Sequence, residues 1–412
     1  MSITFSAERL WNSLMEMARV GARPDGGVDR LALTEADGAA RALLRDWAEA
    51  AGCTLAVDGL GSMVLTYPGA DPSLPAVAVG SHLDSVPTGG KFDGAYGVLI
   101  GLEIVRALHA AGKHTRAPIC IVNWTNEEGA RFAPPMAASE AAMGFTDAAA
   151  VLATPDRFGT TTYGAALDAA GWRGTRDPAE ARRFAAYFEA HIEQGPVLER
   201  EGIPLGIVTH GFGVNYCTIT VQGQDGHIGS RMDDRRDALV GAAEVILTLE
   251  SIAHGTAGRG LASATRLALE PDARGNIPSV VRLVASLRNI EQDGLDAMKA
   301  TLAAACQEIT NRRGMPISID YVSGYPSVRF DAVLLDRLRR AAEAAGLRHR
   351  DLPTPIGHDA LHLGRVVPSA MLFIPCHGGL SHNPAESITP EWSAAGLAAL
   401  GPAVIETAGG LA

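Results

Sequence analysis

Cysteine is scarce in this sequence, and basic residues are outnumbered by acidic ones. The 412 residues include five cysteines, an odd number, with no Cys-x-x-Cys spacing of the kind that holds zinc. This pattern argues against a disulfide framework and favours reduced thiols in a cytoplasmic protein. The formal net charge of −11 argues against nucleic acid as a partner, because phosphate binding needs clustered Lys and Arg.

Long hydrophobic runs are missing as well. No run is long and apolar enough to span a membrane, so no membrane partner is expected. The N-terminus does not have the pattern of a signal peptide. Met1–Gly21 instead predicts an amphipathic helix with Leu10, Leu14 and Met17 on one stripe. The chain is too long for one compact core, so two domains are expected.

Strand and helix patterns alternate toward both ends of the chain, which predicts an α/β fold with a largely parallel sheet. The predicted strands are Thr54–Val57, Met63–Tyr67, Ala76–Val79, Pro118–Trp124 and Met371–Ile374. The predicted helices are one opened by Thr34 and stopped at Gly52, Val98–Ala111, Ala332–Ala345, and a terminal helix capped by Thr389 with Pro390 at its first position. Ala-rich stretches near 147–152 and 178–190 favour helix.

The middle of the chain has a different order of elements. Strands and helices are predicted in the order Val214–Val221, Arg235–Ile252, Ala264–Leu269, Val280–Leu287, Leu295–Arg312 and Ile317–Val322. This βαββαβ order is that of a ferredoxin-like unit. We therefore predict a catalytic domain in residues 1–211 and 326–412, interrupted by an inserted domain in residues 212–325.

The first segment with candidate catalytic residues is the glycine-rich stretch 80–97, which begins where the strand Ala76–Val79 ends. Active sites of α/β proteins favour the carboxyl ends of strands. His82 and Asp84 are two residues apart, so an extended backbone would put both on one face and let Asp84 orient the imidazole of a metal-binding His82. The glycines would let Asp93 fold back toward His82. The alternative is a polar surface loop, which the apolar Phe92 within it disfavours.

The second segment, Asn126-Glu-Glu-Gly129, directly follows the predicted strand Pro118–Trp124. Adjacent carboxylates repel each other unless a cation or a shared proton intervenes. A metal site would resolve the repulsion, with one carboxylate as ligand and its neighbour as base. Taken alone, two solvated glutamates at the start of a loop would be the simpler interpretation.

Two histidines complete the candidate set. A lone histidine at position 191 or 382 would more often be structural than a ligand. Together with His82, Asp93 and Glu128, however, His191 and His382 form a set of imidazole and carboxylate donors without thiolate. Such a set suits Zn²⁺, Mn²⁺, Co²⁺ or Ni²⁺ and does not choose among them.

Taken in order, these segments resemble the hydantoinase/carbamoylase branch of the M20 metallopeptidase-like family. The matching segments are Gly80-Ser-His-Leu-Asp, Gly89-Gly-Lys-Phe-Asp-Gly, Asn126-Glu-Glu-Gly-Ala-Arg-Phe, His191-Ile-Glu-Gln-Gly-Pro and Ser381-His. The branch contains N-carbamoyl-L-amino acid hydrolases, β-ureidopropionases and allantoate or ureidoglycolate amidohydrolases. The resemblance extends over nearly the whole chain.

The resemblance implies a mixed-sheet metallohydrolase domain that binds two divalent ions per subunit. By this resemblance, Asp93 would bridge the two ions. His82 and His191 would complete one site, Glu128 and His382 would complete the other, and Glu127 would be the general base. The residues implied to bind substrate are Gln194, His227, Asn276 and Arg288. Relatives dimerise through the inserted domain, which would serve as a lid, and His227 would reach into the partner's site.

Three segments depart from the family pattern, all in loops expected to line the pocket. Ala137-Ala-Ser-Glu140 stands where relatives carry Met-Gly-Ser-Gly, and Thr354-Pro-Ile-Gly stands where they carry Ser-Gly-Ala-Gly. The segment 228–232 is one residue shorter than in relatives and lacks their proline. These differences bear on the substrate and leave the metal ligands intact.

We therefore expect a metal-dependent amidohydrolase that cleaves the ureido C–N bond of an N-carbamoyl-L-amino acid or related ureido acid, with Glu127 as the base for a metal-activated water. The expected partners are this small-molecule substrate and a second copy of the chain. Alternatives within enzymes are an allantoate or ureidoglycolate amidohydrolase, and a dipeptidase or deacylase with a larger pocket. A non-catalytic scaffold of the same fold is a remote alternative, because neither Glu127 nor a ligand is lost.

Overall fold

The computed structural model describes residues 3–412, and the chain divides into two compact units. The first unit comprises Met1–Thr209, Arg329–Leu352 and Gly357–Ala412, and the second comprises His210–Val328 and Pro353–Ile356. The second unit is thus inserted in the sequence of the first, and it also takes in a short segment from later in the chain.

The strands in chain order are β1 Thr54–Val57, β2 Met63–Tyr67, β3 Val77–His82, β4 Ile119–Trp124, β5 Ala186–Ile192, β6 Leu205–Gly211, β7 Gly213–Gln222, β8 Gly226–His227, β9 Gly260–Glu270, β10 Asn276–Ile277, β11 Val280–Asn289, β12 Ile317–Tyr325, β13 Val328–Arg329, β14 His349–Thr354 and β15 Ser369–Ile374. The helices are α1 Ala7–Met17, α2 Glu35–Ala50, α3 Ala95–Ala110, α4 Ala137–Met143, α5 Ala148–Ala153, α6 Tyr163–Ala169, α7 Val197–Glu201, α8 Ala238–Gly255, α9 Gln292–Arg313, α10 Ala332–Ala344, α11 Asp359–Leu363 and α12 Pro390–Thr407.

The first unit is built on a mixed sheet with the strand order β1-β2-β4-β3-β5-β15-β6-β13, and β14 pairs with β6. The neighbours β4, β3, β5 and β15 run parallel, whereas β2 and β6 flank them antiparallel. The four parallel strands are buried along their whole length, as apolar strands in the middle of an α/β sheet are. Their carboxyl ends meet at one edge of the sheet.

Predicted helix starts in this unit are confirmed by their side-chain caps. Thr34 accepts a hydrogen bond from the backbone of Asp37, and Thr389 accepts one from Trp392, with Pro390 as the first helical residue. The expected N-terminal helix is α1, which buries the predicted apolar stripe. The first two residues of that prediction lie outside the described residues.

Two local predictions are wrong. The stretch 178–190 begins as a short 3₁₀ turn, Pro178–Arg183, but continues into β5 and not into a helix. A strand buried on both faces has no polar alternation to reveal it, and Glu189 and His191 interrupt its apolar run. Residues 137–140, expected in a pocket-lining loop, instead open α4, with Ala137, Ala138 and Ser139 buried.

The second unit has the predicted order of elements, namely β7, α8, β9, β11, α9 and β12. Its sheet has the order β12-β7-β11-β9, with all neighbours antiparallel, and β8 and β10 form a separate two-stranded ribbon. One apolar core joins both helices to the sheet, including Val245 and Leu249 from α8, Leu302 from α9, and Ile219 and Leu283 from the sheet.

Helix α8 differs from expectation in one respect. Among the described residues, α8 is the one helix that is long and apolar enough to cross a membrane, by length and composition alone. The sequence had predicted no membrane-spanning segment. One face, which includes Val245 and Leu249, packs in the core of the second unit. Val240 and Leu247 lie on the outside and are exposed, so the unit carries an uncovered apolar helix face.

Candidate metal centre

Each of the four parallel strands of the first unit supplies a candidate ligand at or beyond its carboxyl end. In sheet order, these are Glu128 after β4, His82 at the end of β3, His191 near the end of β5, and His382 after β15. Asp93 lies just before α3, in the loop that leaves β3. The sheet therefore brings together residues from distant parts of the chain, as the strand ends of α/β folds commonly do.

The first cluster consists of His82, Asp93 and His191, which are all buried and offer ligand atoms within 4.8 Å of one another. Asp93 Oδ1 lies 3.5 Å from Nε2 of His82 and 3.1 Å from Nε2 of His191. Two imidazoles and a carboxylate are a donor set suited to a borderline divalent cation.

The second cluster consists of Asp93, Glu128 and His382. Here Asp93 uses its other oxygen, Oδ2, which lies 3.7 Å from Nε2 of His382, and Glu128 Oε2 lies 3.1 Å from the same nitrogen. Within residues 3–412 these are the two groups with metal-ligand spacing. Asp93 belongs to both groups, and a different carboxylate oxygen lies nearest the histidines of each.

The histidines of the first cluster are oriented by backbone carbonyl groups. Nδ1 of His82 lies 2.8 Å from the carbonyl oxygen of Asp84, and Nδ1 of His191 lies 3.0 Å from that of Ile192. These contacts place the ring proton on Nδ1 and the lone pair on Nε2, and in His191 that nitrogen accepts from the backbone N–H of Gly94 at 3.1 Å. The prediction that the Asp84 side chain orients His82 is therefore wrong in its atoms, because the backbone of that residue makes the contact.

The Asp84 carboxylate binds the backbone of the two adjacent glutamates instead. Its Oδ1 accepts from the backbone N–H of Glu127 at 3.2 Å, and its Oδ2 accepts from that of Glu128 at 3.3 Å. Asp84 therefore holds the pair of adjacent glutamates in place. Burial raises the pKa of the Asp84 carboxyl to about 6.

Gly94 allows Asp93 to approach His82. Its φ of 64° lies in the left-handed region, and a Cβ at this position would lie 2.4 Å from the His82 ring. Any side chain would therefore push the imidazole away from the cluster, in addition to the backbone strain. The glycine in the Phe92-Asp-Gly segment is required by this contact.

The electrostatics of the cluster favour a cation. Burial opposes protonation of His82, but Glu127 and Asp93 outweigh it and raise the pKa of this imidazole well above its usual range. The hydrogen bond to Glu128 raises the pKa of His382 to about 9. A negative potential that draws protons onto imidazoles will also attract a divalent ion, so the residues present fit a metal on donor chemistry, geometry and charge.

Glu127 lies beside the first cluster without belonging to it. Its Oε2 is 3.5 Å from Nε2 of His82, and its side chain is buried. Burial raises its pKa well above the usual range, with Asp359 and Glu128 adding to the effect and His82 opposing it. The structure thus separates the two adjacent glutamates, with Glu128 in a ligand group and Glu127 outside both.

Gln194, a predicted substrate-binding residue, contacts the shared aspartate in the first unit. Its Nε2 donates to Asp93 Oδ2 at 3.0 Å and to Ser381 Oγ at 2.8 Å, while Ser381 donates to the same oxygen of Asp93 at 2.8 Å. The role of Ser381 was not predicted, although it stands next to His382 in the sequence.

The other predicted substrate-binding residues all lie in the second unit. His227 and Asn276 pair directly opposite each other in the β8–β10 ribbon, and both are exposed. Arg288 lies on β11, where its Nη1 donates to the carbonyl of Pro355 at 2.6 Å and its Nη2 donates to the hydroxyl of Tyr216 at 2.8 Å. The altered segment 354–356 therefore touches the predicted carboxylate-binding arginine.

A buried acidic network near Glu127 was missed by sequence reasoning. Glu189 accepts from the hydroxyl of Ser81 at 2.8 Å and from the backbone N–H of Ala360 at 2.9 Å. Asp359 accepts from the hydroxyl of Ser139 at 2.5 Å. The only signal in the sequence was the segment Gly357-His-Asp-Ala, since Glu189 lies on the strand that was not predicted.

The fold and the clustered ligands are those of an α/β metallohydrolase. The chain belongs to peptidase family M20/M25/M40, whose sequence model matches residues 78–405. That span includes both ligand clusters and Glu127.

Relatives and solved structures cover nearly the whole chain. It is 43% identical over 404 residues to "N-carbamoyl-L-amino-acid amidohydrolase" of Rhizobium meliloti, covering 98% of this chain and 97% of the relative. It is 30% identical to "Ureidoglycolate hydrolase" of Arabidopsis thaliana, covering 97% of this chain and 86% of the relative. The crystal structure of an amidase of the hydantoinase/carbamoylase family from Burkholderia multivorans matches with a TM-score of 0.91 at 42% identity, covering 99% of each chain.

Proposed function

We propose that this chain is a metal-dependent amidohydrolase that cleaves the ureido C–N bond of N-carbamoyl-L-amino acids. The observation that carries the proposal is Asp93 placed between two ligand clusters, with the buried Glu127 beside them. The name of the relative from Rhizobium meliloti supports the choice of substrate.

We infer two divalent ions per chain, drawn from Zn²⁺, Mn²⁺, Co²⁺ and Ni²⁺. One would be held by His82, Asp93 and His191, and the other by Asp93, Glu128 and His382. When bound, such ions polarise a carbonyl oxygen and lower the pKa of water. The remaining tasks belong to side chains of this protein.

Glu127 acts as the proton carrier. Burial raises the pKa of its carboxyl, which brings its basicity closer to neutral pH, where a general base is most effective. The carboxylate accepts a proton from the water that attacks the carbamoyl carbon. The acid then returns the proton to the leaving nitrogen as the C–N bond breaks, which releases the amino acid, and the carbamate decomposes to carbon dioxide and ammonia.

Substrate recognition falls to Gln194 and to His227, Asn276 and Arg288 of the second unit, by resemblance to the family. A guanidinium has five N–H groups, and three of those of Arg288 are engaged by Ser286, Tyr216 and Pro355. The remaining two suffice for a bidentate pair with a carboxylate. His227 and Asn276, side by side on their ribbon, would donate to the carbamoyl oxygen.

We further propose that the second unit is a ferredoxin-like lid and dimerisation domain, so that the protein works as a homodimer. Its strand order β12-β7-β11-β9 supports the first part. The second part is supported by the edge strand β9, with exposed Leu261 and Leu267, and by the uncovered face of α8, where Leu247 is 64% exposed. Unpaired edges and apolar patches of this kind are typical of subunit interfaces.

Mixing inactive subunits tests this dimer. His227→Ala protomers combined with Glu127→Gln protomers should regain a fraction of activity if His227 serves the partner's site. Failure to regain activity, with subunit exchange demonstrated by labelled chains, would place His227 in the site of its own subunit or outside catalysis. The five cysteines, all buried and unpaired, support the further proposal of a cytoplasmic location.

A substrate panel tests the proposed function itself. The panel holds N-carbamoyl-L-amino acids and their D-enantiomers, allantoate, ureidoglycolate and dipeptides, each assayed with the four metals for release of ammonia or free amino acid. We expect the N-carbamoyl-L-amino acids to give the highest kcat/KM. Ureidoglycolate is the second candidate, because the Arabidopsis relative is a ureidoglycolate hydrolase. Turnover of dipeptides alone would contradict the proposal.

A further inference from the structure

Glu386 is a buried acid that belongs to neither ligand cluster. It lies four residues after His382 and is only 2% exposed. Its Oε1 accepts from the backbone N–H of Phe92 at 3.0 Å and from the backbone N–H of Asp93 at 3.1 Å. One oxygen thus holds the two peptide groups that flank the α-carbon of Phe92, immediately before the side chain of Asp93.

The loop that carries Asp93 is shaped around this carboxyl group. A Cβ at Gly90 would lie 1.9 Å from the carboxyl carbon of Glu386 and 2.0–2.2 Å from its two oxygens. Glycine is therefore the one residue that leaves room for Glu386 at this position. The loop contains glycines at 89, 90 and 94, and glycine gives up more conformational freedom on ordering than any other residue, so the position of Asp93 needs an anchor.

We propose that Glu386 is a positioning residue that fixes the shared ligand Asp93, so that one segment both supplies His382 and holds the aspartate common to the two clusters. The inference rests on the metal centre of the proposed function. It extends a pattern already present at Asp84, which follows His82 and holds the backbone of Glu127 and Glu128. In both cases a segment that carries a histidine ligand fixes the segment that carries a carboxylate ligand.

The test measures metal affinity directly, without reference to turnover. Apo protein is titrated with Zn²⁺ or Mn²⁺ against a chromophoric chelator, and melting temperatures are recorded for apo and loaded forms. Glu386→Ala should weaken metal binding about 10- to 100-fold, the usual effect of losing a group that orients a ligand. Glu386→Gln should stay within a few-fold of wild type, because its amide oxygen can accept both N–H groups.

Two further variants separate positioning from general stability. Gly90→Ala should displace the Glu386 carboxyl and weaken binding while every ligand remains, which keeps the test open if Glu386→Ala fails to fold. Glu103→Ala is the matched control, since Glu103 is equally buried and accepts the backbone N–H of Ser6 at 2.7 Å, far along α3 from Asp93. It should lower the melting temperatures of the apo and loaded forms alike and leave the metal affinity unchanged.

The outcomes distinguish the inference from the proposed function. Suppose that Glu386→Ala and Gly90→Ala both bind metal with wild-type affinity, while Asp93→Ala abolishes tight binding. This result would contradict the positioning role of Glu386 and leave the proposed metal centre intact. A Gln variant as weak as the Ala variant would contradict the hydrogen-bond argument. A wild-type chain that binds none of the ions would overturn the metal centre and this inference with it.

Discussion

The two groups of predicted functional residues differ in burial between the two units. In the first unit, His82, Asp93 and His191 are buried, and their ring or backbone atoms make hydrogen bonds within that unit, whereas His382 is exposed. In the second unit, His227 and Asn276 are exposed, and Arg288 is held only by residues of that unit. The comparison indicates that the proposed metal centre is built from residues of the first unit, whereas the proposed substrate binding also uses residues of the second unit.

The largest effect is expected from Glu127, the residue that should affect chemistry without affecting metal. Glu127→Gln keeps the size of the side chain but removes the base, so kcat should fall about 10²- to 10⁴-fold, the usual contribution of a positioned acid–base group. Metal content, measured by atomic absorption on the dialysed protein, should stay at the wild-type level. Glu128→Gln is the matched neighbour, and it should lower metal occupancy as well. Near-normal turnover in Glu127→Gln would show that another group is the base.

The next effect tests the second unit through Arg288. Replacement by Lys removes the forked donors, so Arg288→Lys should cost about 1.5–3 kcal/mol in kcat/KM, or roughly 10- to 150-fold, with metal affinity unchanged. The loss should be much smaller for a substrate whose carboxylate has become an amide. Tyr216→Phe removes one contact of the guanidinium and should cost less, about 1 kcal/mol. Equal losses on acid and amide substrates would mean that Arg288 does not bind the carboxylate.

The third effect concerns the pH dependence of metal binding in the first unit. His382 must be neutral to bind a metal, yet its hydrogen bond to Glu128 raises its pKa to about 9 in the metal-free protein. Because this pKa lies above the ordinary value, the ion must displace a proton at pH 7, and apparent affinity should rise with pH until about pH 9. The apparent metal affinity should rise about tenfold per pH unit for each proton displaced. A flat profile between pH 7 and pH 9 would show that His382 is not a ligand.

The sequence could place His82 and the adjacent Glu127 and Glu128 because they stand at or just beyond the ends of strands that were predicted. The apolar runs of β3 and β4 end three residues before His82 and Glu127, so their placement at the edge of the sheet followed from the fold class. The order of elements in the second unit could also be predicted, because its half-exposed strands alternate.

What sequence patterns could not predict depends on contacts between distant segments. The strand β5 is buried on both faces, so it lacks alternation and its central place beside β3 was not foreseen. Nothing local distinguishes Glu386 from a surface glutamate, since its partners lie almost three hundred residues away at Phe92 and Asp93. The contact between His82 and Asp84 was predicted through the wrong group, the side-chain carboxylate. The sequence shows only that an aspartate stands two residues after the histidine, and it does not show that the backbone carbonyl makes the contact.

The dependence of turnover on bound metal tests the central claim most directly. The metal-free protein is titrated with Mn²⁺ or Zn²⁺ while bound ions per chain and release of free amino acid from an N-carbamoyl-L-amino acid are measured on the same samples. Activity should be absent in the metal-free protein and reach its plateau at two ions per chain, and Asp93→Ala protein should remain inactive throughout. Undiminished hydrolysis by the metal-free protein would contradict a metal-dependent amidohydrolase built around Asp93.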